Sequence, residues 1–62
     1  MVKVTPTQDG NRRNVYNGNV LIGYVENDTL YGIDADGYAL PICTIEHENE
    51  IAGRLAEWQA QQ

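Results

Sequence analysis

One thiol, one imidazole and nine carboxylates are the groups in this 62-residue chain that could do chemistry beyond hydrogen bonding. Cys43 and His47 stand four apart, so they could share a helical face, and a cysteine nucleophile beside a histidine base is a workable catalytic pair. That pair would also need a lowered thiol pKa, an oxyanion site and a cleft. A chain this short has little room for a pocket on the order of several hundred Å³. A cysteine serving as a small hydrophobe is the simpler reading of Cys43. Glu46, His47, Glu48, Asn49 and Glu50 gather ligand-type side chains. The His-Glu-x-x-His zinc pattern needs a second histidine, however, and the sequence holds only one. A structural Cys/His zinc site fails on the same count. Asp34-Ala35-Asp36-Gly37 opens in the manner of a calcium loop. The EF-hand pattern then requires further ligands and a glutamate at its twelfth position, whereas here the run continues into strand-like Tyr38-Ala39-Leu40 and then Cys43-Thr44-Ile45. A plain turn accounts for it. The expectation is a non-enzymatic chain with no catalytic residues, no cofactor and no metal.

Nine acidic residues stand against four basic ones, a formal net charge of -5. Lys3, Arg12, Arg13 and Arg54 form no run longer than two, and a phosphate-binding footprint needs clustered lysine and arginine. Arg12-Arg13 with Tyr16, or paired tyrosines on a sheet, could offer a stacking platform for bases. Without a basic groove, nucleic acid is a poor partner. A charge of this size keeps a small domain soluble. The lone cysteine excludes an internal disulfide and fits a reducing compartment. Met1-Val2-Lys3-Val4-Thr5-Pro6 lacks a signal-peptide apolar run, and no stretch approaches the roughly 20 apolar residues of a membrane span. The sequence therefore predicts a cytoplasmic protein with no membrane contact.

Turn signals at short intervals divide the chain into a single domain of hairpins. Strands are expected near residues 2–5, 12–16, 19–26, 29–34 and 38–42, with a helix near 45–59. Gln8-Asp9-Gly10-Asn11 reads as a turn. Asn17-Gly18 and Asn27-Asp28 read as two-residue hairpin loops, and Ala35-Asp36-Gly37 as a three-residue loop with glycine in the left-handed position. Pro41 cannot donate to a ladder on both sides, which predicts an edge strand. Thr44 is a candidate N-cap, with Glu46 and Glu48 near the positive end of the helix dipole. Ile51, Leu55 and Trp58 form one apolar stripe. The fold class is α+β: a small antiparallel meander of four to five strands, open or closed into a small barrel, with one C-terminal helix packed on one face.

These loops fix registers. Val15 is expected opposite Val20, Tyr24 opposite Tyr31, Gly23 opposite Gly32, Ile22 opposite Ile33, Gly32 opposite Leu40 and Leu30 opposite Ile42. Alternation then separates two faces. Leu21, Gly23, Val25, Leu30, Gly32, Leu40 and Ile42 suit the helix, and the paired glycines leave a flat spot for Trp58 or for the helix backbone at Gly53. The other face carries Val15, Val20, Ile22, Tyr24, Tyr31, Ile33 and Ala39. If it is uncovered, a patch of this kind marks an interface.

The runs Val15-Tyr16-Asn17-Gly18-Asn19-Val20-Leu21-Ile22-Gly23-Tyr24-Val25, Tyr31-Gly32-Ile33-Asp34-Ala35-Asp36-Gly37 and Glu50-Ile51-Ala52-Gly53-Arg54-Leu55-Ala56-Glu57-Trp58 resemble, in layout, small accessory proteins of bacteriophages and prophages. That resemblance implies a host-directed binding protein and brings no catalytic residues with it. The functional expectation is a binding or assembly module that uses Val20, Ile22, Tyr24, Tyr31 and Ile33 against a protein partner or a second copy. An alternative is an acidic decoy for a basic, nucleic-acid-binding surface, through Asp34, Asp36, Glu46, Glu48 and Glu50. A weak nucleic-acid binder is a third reading.

Overall fold

A computed structural model describes the whole chain, Met1–Gln62. Five strands, β1 (Val2–Pro6), β2 (Arg12–Asn17), β3 (Val20–Glu26), β4 (Thr29–Ile33) and β5 (Ala39–Thr44), form one antiparallel sheet in the order of the sequence. A 3₁₀ turn, Glu48–Glu50, leads into the single helix α1 (Ile51–Ala60). The sheet is open, with β1 and β5 as free edges, so the barrel alternative does not arise.

The turns account for this path. Asn27 and Asp28 both adopt positive φ, 50° and 66°, which gives the β3–β4 hairpin the type I′ twist that matches the strands. Between β4 and β5, Gly37 takes φ 88° in a three-residue loop. Asp34 holds that loop, because its Oδ1 accepts from the backbone N–H of Asp36 at 3.0 Å and of Tyr38 at 2.9 Å. Thr7 and Asp9 organise the β1–β2 turn. The Thr7 hydroxyl lies 2.8 Å from the Arg12 carbonyl, and Asp9 Oδ1 accepts from Asn11 N–H at 3.0 Å.

The β2–β3 loop departs from expectation by one residue. Asn17 pairs with Val20, so Gly18-Asn19 is the loop and Gly18 alone carries positive φ, at 62°. A β-bulge then absorbs Ile22, since Tyr16 faces Leu21 while Val15 faces Gly23. Val15 therefore lies on the helix side, fully buried, and not on the tyrosine side opposite Val20. A second bulge in β5 places Leu30 opposite Cys43, while Gly32 keeps its expected partner Leu40. The Ile22–Ile33 and Leu30–Ile42 pairs do not form. In both cases the extra residue, Ile22 or Ile42, leans on the core. The gain from partly burying one more aliphatic side chain outweighs an unbroken ladder.

The helix starts later than Thr44. That residue ends β5, and Ile45 is buried with its N–H bonded to the Asp28 carbonyl at 2.7 Å. Glu50 makes the helix entry, its Oε2 accepting from the N–H groups of His47 at 3.1 Å and Glu46 at 3.3 Å. This is the carboxylate arm of a capping box. These bonds hold the Glu50 pKa below the ordinary glutamate value; the His47 N–H contributes most.

One face of the sheet and the helix enclose Val15, Val25, Leu30, Ile45, Ile51 and Leu55. Trp58 fills the flat spot: a Cβ added at Gly32 would sit 2.6 Å from its ring. Gly53 is exposed with nothing within 4 Å of its would-be Cβ, so the helix backbone there plays no part in that contact.

Candidate interaction surface

The outer face of the sheet has no second layer. Its register draws one row across all five strands, Thr5, Asn14, Tyr24, Tyr31 and Pro41, each opposite the next. Tyr16 and Leu21 form a pair on one side of this row, and Arg12, Glu26, Thr29 and Thr44 line the other.

Tyr24 and Tyr31 stack with ring centroids 4.8 Å apart and planes 21° from parallel. That separation equals the spacing between neighbouring strands, so the rings stand up from the sheet and turn their edges outward. The Arg12 guanidinium carbon lies 3.9 Å from the Tyr24 centroid, and Arg12 Nε donates to Asn14 Oδ1 at 3.3 Å. Two groups at these distances cannot share one side of a ring, so Arg12, Tyr24 and Tyr31 form a three-layer stack. An exposed cation–π contact contributes about 0.5–1 kcal/mol. The stack is stiff, amphipathic and preformed, and its outward edges carry hydroxyl groups that donate and accept.

The five candidate contact residues divide. Tyr24, Tyr31 and Ile33 lie together on the outer face, half-buried by one another and by their strand neighbours. Ile22 is drawn to the core by the bulge. Val20 is 64% exposed but sits opposite Asn17, one step out of phase with Tyr16, at the rim of the helix side. Arg12, Asn14 and Tyr16 belong to the surface and escape sequence reasoning because the register assumed for β2 turns its residues over, while Leu21, expected on the helix side, is brought to this face by the bulge at Ile22. A tyrosine, an arginine and an asparagine at alternate positions of one strand were the available signal.

The five acidic candidates do not converge. Thr29 pairs with Thr44 and Ile33 with Ala39, so the turn bearing Asp34 and Asp36 lies at the opposite end of the β4–β5 hairpin from Glu46, Glu48 and Glu50. Asp34 is tied to its own loop and Glu50 to the helix entry. Glu48 meets Arg13 at 3.3 Å, an exposed pair worth little by itself. Glu26 is the one carboxylate on the outer face, and it sits opposite Arg12; the other eight acidic residues occupy the turns, the helix and its approach.

Cys43 is half-buried opposite Leu30 and packs against the core, while His47 is exposed at the helix entry. An open groove of about 310 Å³, lined by Val2, Val4, Glu48, Asn49, Ile51 and Ala52, contains neither of them. It is larger than the chain length led one to expect. No helix is long and apolar enough to cross a membrane. No protein-family model, curated protein or solved structure matches the chain.

Proposed function

We propose that this chain is a non-enzymatic binding and assembly module whose outer sheet face is a protein interface. The observation that carries the reading is the Arg12–Tyr24–Tyr31 stack at the centre of a sheet face that nothing covers. Tyrosine and arginine are the residues most enriched at the energetic centres of interfaces. The rings already stack on each other, so little ordering cost remains when a partner docks. The same stacking covers both faces of the Tyr24 ring and one face of Tyr31, which leaves few ring faces for an unpaired base and disfavours nucleic acid as the occupant.

Two features favour a second copy as the occupant. The body measures 29 × 23 × 21 Å with a surface of 4393 Å². One broad side of it is on the order of 700 Å², and two such sides reach the size of an ordinary stable interface. Charge points the same way. Eight of the nine carboxylates lie away from the outer face, and the ninth, Glu26, sits opposite Arg12, so two copies meeting there keep most of their acidic groups apart. Two sheets packed face to face would make a small sandwich with the tyrosine stacks inside. The phage-like layout fits a host protein as the other occupant, and the single thiol fits a reducing cytoplasm.

Tyr31→Glu tests the reading. It places a charge at the centre of the face without touching the core. The variant should keep its far-ultraviolet circular dichroism and lose association by light scattering. Unchanged association would contradict the proposal. Salt separates the apolar mode from the acidic-decoy alternative, since only the latter should weaken strongly as ionic strength rises.

A further inference from the structure

The two free edges of the sheet are built differently. β5 is blunted twice, by Pro41, which has no N–H, and by the bulge at Ile42. β1 carries neither device between Val2 and Thr5, and its pairing with β2 runs without a register shift. Alternate N–H and C=O groups along its outer side therefore face away from the sheet in strand geometry. Lys3, a common guard on edge strands, shares a face with Tyr16 and so projects to the outer side of the sheet.

The groove lies along this same edge. Val2 and Val4 form one wall, Ile51 and Ala52 the other, and Glu48 and Asn49 close the end. It exists because α1 packs mainly over β4 and β5, which leaves Val2 exposed and Val4 only half-buried on β1. A strand laid beside β1 would send every second side chain into the groove and the remainder toward the outer face. Glu48 fixes the polarity of the site. It bonds to Arg13, which pairs with Pro6 at the end of β1, so its carboxylate stands at the Pro6 end of the groove. Glu48 is 60% exposed and meets Arg13 through Oε1 alone, so its Oε2 stays open to a second cation, and Glu46 stands two residues before it on the same approach to the helix.

We propose that the β1 edge and this groove together form a second site, which takes an extended, basic peptide segment of a partner protein by strand addition. Backbone pairing to β1 supplies affinity, small aliphatic side chains at alternate positions fill the groove, and a lysine or arginine at one end meets Glu48. A second copy of this chain is the poorer occupant, because its own net charge of -5 opposes approach to the acidic layer.

The probe is a seven-residue peptide of alternating valine and threonine, blocked at both ends, with one arginine at its amino end. An antiparallel strand would place that arginine beside Glu48. Titrated into the full chain, it should shift the backbone amide resonances of Val2–Pro6 and of residues 48–52 and leave those of Tyr24 and Tyr31 in place. Ala52→Arg fills the groove from an exposed helix position, so it should keep the fold and weaken binding at least about ten-fold, allowing for both lost space and like charge. Tyr31→Glu should bind the peptide as the parent does, whatever it does to self-association, which separates this site from the outer face. Shifts confined to the tyrosine row, no shifts at millimolar peptide, or full binding by Ala52→Arg would each overturn the proposal.

Discussion

Gly32 and Gly53 carry opposite expectations, although both are glycines within regular elements. At Gly32 a methyl group would meet the Trp58 ring at 2.6 Å, and an indole wedged between sheet and helix cannot step aside cheaply. Gly32→Ala should therefore cost about 1–3 kcal/mol in urea unfolding, with a shifted tryptophan emission. At Gly53 a methyl group meets nothing within 4 Å on an exposed helical surface. Gly53→Ala should add about 0.5–1 kcal/mol, because glycine is the weaker helix former. Asp28 offers a third case. It holds φ at 66°, a conformation that costs any residue with a Cβ, while its contact to Ile45 uses only the backbone carbonyl. Asp28→Gly should stabilise the hairpin by about 0.5–1 kcal/mol in the same assay. The close Gly23–Gly32 pairing and the positive φ at Gly37 were legible in the sequence because each follows from turn chemistry within a few residues. The choice of Trp58 over Gly53 as the filler was not, since it depends on where the helix starts.

Elements were legible where their signals are local and misread where the core intervened. The Asn27-Asp28 and Ala35-Asp36-Gly37 loops fixed the registers around them, and Tyr24 faces Tyr31 as expected. The β2–β3 hairpin failed by one residue, and a one-residue slip moves a strand's whole set of side chains to the other face. Its Asn17-Gly18 signal was real, yet the loop closed on Gly18-Asn19 so that Val15 could enter the core and Ile22 could bulge toward it. No pattern within six residues reports what a core five strands wide will accept. The helix start was missed for a similar reason: Ile45 is worth more buried against the sheet than as the first residue of a helix after Thr44. Glu50 then does the capping. Its pKa lies below that of the unfolded chain, so its contribution is present at neutral pH and fades as the pH falls through the ordinary glutamate range to the lower folded value. Glu50→Gln keeps the shape and weakens the acceptor. Its stability at neutral pH should fall below that of the parent, and the two should converge in acid when unfolding is followed at several pH values. A constant difference across that range would remove the carboxylate from the account.

A chain of 62 residues with six side chains in its buried core has a thin margin of stability. It has neither disulfide nor second sheet to widen that margin, so association of the kind proposed would add to its stability. The molecule is two-sided in its charge as well as in its layers, with a tyrosine-bearing face on one side and most of the carboxylates in the turns and helix layer. The aromatic pair follows from one local hairpin, whereas the Arg12 cap depends on the shifted β2–β3 register and the open sheet on how β1 and β5 end up as edges, neither of which a local pattern reports. If the face is an interface between copies, association should also contribute to folding stability, so the thermal midpoint should rise with protein concentration. The most direct measurement is the mass in solution by light scattering coupled to size exclusion, over a range of concentrations and at low and high salt. The account predicts a dimer that persists or strengthens at high salt, as apolar contact and screened like charge require. A monomer at every concentration and both salt levels would contradict self-assembly through the tyrosine face.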